Sequence, residues 1–89
     1  MHYEWDEDKR ARNIFRHEID FDSVQKFDWA TCLTIVDERF DEHRYRCLGF
    51  IEGRLHALVY TIREISLRII SLRRANKREI KYYENHISD

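Results

Sequence analysis

Proline is absent from this 89-residue chain, and only two glycines occur, Gly49 and Gly53. That scarcity excludes collagen-like and linker-type sequences. Long hydrophobic runs are missing too. The apolar stretches fall far short of the roughly 20 residues that a membrane-spanning helix needs, and the mean hydropathy is -0.73. The opening Met-His-Tyr-Glu-Trp-Asp-Glu-Asp is acidic and lacks the apolar stretch of a secretory leader. A soluble, cytoplasmic protein is expected. Two cysteines, Cys32 and Cys47, are too few for a disulfide scaffold and read as small reduced hydrophobes. The five histidines, at 2, 17, 43, 56 and 86, never fall into an H-x-H or H-E-x-x-H spacing. Neither a metal site nor any other cofactor is expected.

What is present suffices for a packed core. Hydrophobic residues make up 43% and aromatics 13%, and the length suits one domain over residues 1–89. The formal charge of -1 hides an asymmetry. Residues 1–42 hold six Lys/Arg and twelve Asp/Glu, a net of -6, and residues 43–89 hold ten and five, a net of +5. A one-sided positive field attracts phosphates whatever the total charge.

The pattern along the chain is that of a small α+β fold. Tyr3–Trp5 reads as a short opening strand. Asp6 is a good N-cap, followed by Glu7 and Asp8 in the first turn, for a helix to about His17. Ala11, Ile14 and Phe15 form its expected apolar stripe, and Lys9, Asn13 and His17 a polar one. A short second helix is expected near Asp22–Phe27, capped by Asp20 or Asp22. Thr31–Val36 reads as a strand and Asp37–His43 as a charged loop. Arg44–Ile51 and Arg54–Ile62 are strand-like runs joined by the turn Glu52-Gly53. Leu67–Leu72 is a further strand. Its adjacent Ile69 and Ile70 suggest a central strand covered on both sides. Lys77–His86 reads as a helix opened by an Asn76/Glu79 capping box. Consecutive hairpins imply a mainly antiparallel sheet, with two N-terminal helices and one C-terminal helix packed on it. Parity places Arg44 and Arg46 on one sheet face and Tyr45 and Cys47 on the other. Whether Arg68 shares the face of Arg44 depends on the register.

These residues also carry a resemblance. Trp5-Asp6, Lys9, Asn13 and Arg16-His17, followed by Phe21, resemble the W-D-x-x-K-x-x-x-N-x-x-K-H opening of BrnT-type toxins. Glu42-His43-Arg44 resembles the family's E-x-R, and Leu48-Gly49 with Gly53-Arg54 its glycine hairpin. Arg68-Ile69-Ile70-Ser71-Leu72-Arg73-Arg74-Ala75 is similar to its R-I-I-S-A-R-x-A. Glu79 and Tyr83-Glu84 continue the pattern, so the likeness runs from residue 5 to 84. Glu18 stands where the family usually has Gly, so the turn after the first helix is expected to differ. Leu72 replaces a small residue.

The resemblance implies a RelE-like fold and the toxin half of a type II toxin–antitoxin pair. It implies a metal-independent endoribonuclease that stops translation. The implied partner is a BrnA-like antitoxin with a ribbon-helix-helix region, in a complex of two toxins and two antitoxins that represses its own operon. Operator DNA is then reached only through the antitoxin. The alternative is a non-catalytic, antitoxin-binding co-repressor domain.

Cleavage through the adjacent 2′-OH needs a base, an acid and stabilisation of a dianionic phosphorane. Arginine offers a fixed fork of donors for that charge. Arg44, Arg68 and Arg73, with Glu79, Tyr83 and His17 for proton transfer or orientation, are the expected catalytic set. Lys9, Arg74, Lys77 and Arg78 are expected to bind RNA. Each has a structural counter-reading. Lys9, Asn13 and His17 would tie the first helix down. Glu79 would be only a cap, Tyr83 and Trp5 only core, and Arg68, Arg44 and Arg73 only paired structural charges.

Overall fold

The computed structural model describes residues 2–38 and 43–87. Most of the charged loop expected over Asp37–His43, including Glu42 of the E-x-R triplet, lies outside the described residues. Five strands form one sheet: β1 (His2–Trp5), β2 (Leu33–Asp37), β3 (Arg44–Ile51), β4 (Arg54–Arg63) and β5 (Ser66–Arg74), in the spatial order β1-β5-β4-β3-β2. β1 runs parallel to β5, and the other pairings are antiparallel. Two α-helices frame the run, α1 (Glu7–His17) and α2 (Lys77–Ile87).

α1 begins where local chemistry demands. The Asp6 carboxylate accepts the backbone N–H of Asp8 at 2.8 Å and of Lys9 at 3.2 Å. The expected apolar stripe is overturned, however. Phe15 is 89% exposed, Ala11 and Ile14 also face solvent, and Asn13 is the buried residue of the helix. β1 accompanies β5 only as far as the Trp5–Ile69 pair, so the backbone of β5 beyond that point needs another partner. Asn13 supplies it. Its Nδ2 donates to the Leu72 carbonyl at 2.7 Å, and its Oδ1 accepts the Leu72 N–H at 3.2 Å. The same amide donates to the Ile19 carbonyl at 3.0 Å. One carboxamide thus replaces a strand, and α1 turns Asn13 of its polar stripe inward to place it.

The turn after α1 does not differ as expected. Glu18 itself takes the left-handed conformation, φ 58° and ψ 31°, and its N–H donates to the Ile14 carbonyl at 2.8 Å. Asp20 then caps the next element, which is a 3-10 helix over Phe21–Lys26 rather than an α-helix. A second 3-10 turn, Trp29–Thr31, takes Thr31 out of the expected strand, so β2 starts at Leu33.

The main core lies on the sheet face that receives these 3-10 segments. Phe21, Val24, Leu58 and Leu72 are fully buried there, beside Cys47 and Ile69. Trp29 sets its edge against Phe27 and Tyr60, and Tyr60 stacks on Tyr45. Cys32 and Cys47 are free thiols with sulfurs 3.9 Å apart. A Cβ at Gly49 would strike the Phe27 ring, so only glycine fits under it. Glu52 and Gly53 both take positive φ, 49° and 80°, as a tight two-residue hairpin requires. The adjacent isoleucines of β5 have a different cause from the expected two-sided burial. The β4–β5 register slips at Val59/Tyr60, leaving Ile70 as the extra residue of a bulge.

Candidate functional site

The register decides which arginines meet. Asp37, Arg44, Thr61, Arg68 and Glu4 form one row across all five strands. The next row on the same face holds Ile35, Arg46, Val59 and Ser71, and the one after it Leu33, Leu48, Ala57 and Arg73. Directly opposed residues share a face, so Arg44, Arg46, Arg68 and Arg73 stand together. α2 covers only one end of this face, through Tyr83 against Leu48, Leu55 and Ala57. Elsewhere on this face, among the described residues, Arg46 is exposed and Arg44 and Arg68 are half-buried.

A groove of about 430 Å³ lies where the open face meets α2, and Arg46, Ser71, Arg73, Arg78, Glu79 and Tyr82 line it. Its fixed point is Glu79. Both carboxylate oxygens accept from the Arg73 guanidinium, at 2.8 and 2.9 Å. Oε1 also accepts the Asn76 N–H at 2.9 Å, while Asn76 Oδ1 accepts the Glu79 N–H at 2.8 Å. The capping box that starts α2 therefore also aims Arg73. The Arg73 hydrogen bonds, helped by the Asn76 N–H, hold the Glu79 carboxyl below its ordinary range against the opposing effect of burial. The groove is thus a cationic wall with one ionised carboxylate and one phenol.

Arg68 bonds the Glu4 carboxylate at 2.7 Å, with side-chain exposures of 27% and 35%. It stands in the row beside the groove and not among its lining residues. Tyr83 is buried, its hydroxyl donating to the Thr31 carbonyl at 2.7 Å and its ring set against Phe50. The neighbouring Tyr82 is the ring that faces the groove. Lys9 and His17 lie apart, in a second groove of about 260 Å³ with Arg12, Asn13, Arg16, Ile70 and Ser71. Arg74 and Lys77 are exposed at the end of β5 and the start of α2. Arg46, Tyr82 and Ser71 were not singled out as site residues from the sequence. The pairing of Arg46 with Val59, and of Val59 with Ser71, brings the two strand residues to the groove, and no local signal carries that pairing; Tyr82 reaches it from α2.

Residues 5–79 match the model of a family described as ribonuclease toxin, BrnT, of type II toxin–antitoxin system. The crystal structure of the Brucella abortus ribonuclease toxin, BrnT, is similar, with a TM-score of 0.67 and 26% sequence identity over 86% of this chain and 100% of that chain. No curated protein matches by sequence. With five-sixths of its length on the family model, an α+β fold shared with a solved member and an arginine-lined sheet face, the chain belongs to the BrnT family of ribonuclease toxins of type II toxin–antitoxin systems.

Proposed function

We propose that this chain is a metal-independent endoribonuclease that halts translation by cutting RNA on the arginine face of its sheet. The observation that carries the reading is the register that gathers Arg44, Arg46, Arg68 and Arg73 beside the α2 groove. Attack by a 2′-OH on its own phosphate builds two negative charges on a five-coordinate phosphorus. Fixed guanidinium forks stabilise that charge without reorganising at the moment of reaction. Arg46, Arg73 and Arg78 supply them in the groove, and Arg44 and Arg68 extend the field to the neighbouring row. Glu79 and Tyr82 are the proton-transfer groups within reach, Glu79 also holding Arg73 in line. Tyr83 anchors α2 through Thr31, and Arg74 and Lys77 hold flanking phosphates. The partner is a BrnA-like ribbon-helix-helix antitoxin in a two-to-two complex, which represses its operon through the antitoxin's DNA contacts. The RelE-like character that the resemblance implies belongs to the same proposal.

The test is bulk RNA cleavage by the purified chain in excess EDTA, beside growth arrest on expression without the antitoxin. Wild type is expected to cut RNA in EDTA. Arg73→Ala is expected to cut at least about 10²-fold more slowly, the usual cost of removing one charge-stabilising donor. Tight antitoxin binding with intact RNA and normal growth would establish the co-repressor domain instead.

A further inference from the structure

We infer that the second groove, between α1 and the bulged edge of β5, is a binding site for the sugar–phosphate backbone of single-stranded RNA continuing from the α2 groove. This rests on the proposed RNA cleavage and adds the path of the strand. Lys9, Arg12 and Arg16 rise from one side of α1 and line the groove with Asn13, His17, Ile70 and Ser71. They span about 10 Å along the helix axis, enough for two consecutive phosphates. Among the described residues none of the three has an ion pair. Their neighbour Arg10 contrasts with them, held by Glu7 and Asp20. Three cations without an ion-pair partner among the described residues, in one groove on a chain of net charge -1, attract phosphate. The floor carries the apolar Ile70, which suits a ribose or base face.

Continuity argues for RNA over a free anion. Ser71 lines both grooves, so they adjoin at β5, between the arginine face and α1. The edge is passable there because β1 has ended at Trp5–Ile69 and Asn13 has taken its place in the sheet plane. A path that turns from a sheet face around its edge suits a single strand. A duplex, stiff over about 150 base pairs, cannot follow it.

The probe is a fluorescein-labelled single-stranded RNA of about 12 nucleotides, carrying 2′-O-methyl groups so that no cleavage intrudes. Arg12→Ala/Arg16→Ala is expected to weaken binding about tenfold or more and to lower the slope of log Kd against log salt by roughly 1.4, two single-strand phosphate contacts. Lys26→Ala/Arg54→Ala removes two charges beside the β3–β4 turn, where Lys26 pairs with Glu52 at 2.9 Å, and is expected to leave affinity within about twofold. An unmodified dinucleotide, whose single phosphate is the one cut, is expected to be cleaved equally by wild type and the α1 variant. Unchanged affinity in the α1 variant, or equal weakening in the turn variant, overturns the site. A wild type that binds through α1 and cuts no RNA overturns the catalytic reading and leaves this site standing. All three side chains are exposed, and unchanged melting temperatures separate lost binding from lost folding. Arg12→Gln/Arg16→Gln, which keeps the stems, is expected to reproduce the effect.

Discussion

Glu18 holds a backbone conformation that costs a non-glycine residue roughly 1–2 kcal/mol, and its φ of 58° is matched by Glu52 at 49° and Glu64 at 55°. Nothing in the sequence marks a glutamate for that task, which is why the α1 turn was expected to change. The Ile14 carbonyl still needs a donor, and Glu18 provides it without the glycine. Glu18→Gly is expected to raise the melting temperature by about 4–8 °C, the equivalent of roughly 1 kcal/mol in a domain this size. A scan on both proteins checks it, and an unchanged midpoint would mean that the glutamate is unstrained there. Arg68 poses the converse question, because it has a partner and a possible task. Glu4 keeps about a third of its side chain in water, so Arg68→Ala is expected to lower the melting temperature by only a few degrees. Cleavage is expected to fall by about 10²-fold or more, with partial rescue by Lys, whose single ammonium lacks the fork. Melting and cleavage measured on the same preparation separate the two roles; a variant that melts early and cuts normally assigns Arg68 to the scaffold.

Elements whose causes are local could be read from the sequence. The Asp6 cap, the Glu52-Gly53 hairpin and the Asn76/Glu79 box each lie within four residues, and all three stand in the structure. Elements decided at a distance could not. α1 shows an apolar stripe at helical spacing, yet it turns Asn13 inward because Leu72, 59 positions away, needs backbone partners. The adjacent isoleucines of β5 record a bulge, which sequence alone does not distinguish from two-sided burial. At α2 the local and distant causes meet in Glu79. Its carboxyl lies below the ordinary value of 4.5, so its contribution is present above about pH 4.5 and is lost as pH falls through the folded value. Glu79→Gln is expected to cost about 1–2 kcal/mol at neutral pH. The gap between variant and wild type is expected to narrow as pH falls below 4.5, as melting curves from pH 7 into acid would show. A gap that persists in acid would mean that shape rather than charge holds the box.

Over the whole molecule, the acidic first half and basic second half do not form separate bodies. The strand order interleaves them, setting Glu4 of β1 against Arg68 and Asp37 of β2 opposite Arg44, at the two ends of one row. Arg44, Arg68 and Arg73 share one sheet face, which only the register makes visible. His17 and Tyr83, expected beside them, were carried elsewhere by the same fold. The carboxamide of Asn13 also governs how this sheet meets other sheets. A strand edge with unused N–H and C=O groups is a template for pairing with another chain, and on β5 the groups of Leu72 are already occupied. Asn13→Ala would leave that edge vacant. It is expected to make the protein self-associate more strongly than wild type as concentration rises, seen as growing particle size in light scattering before any loss of helix signal.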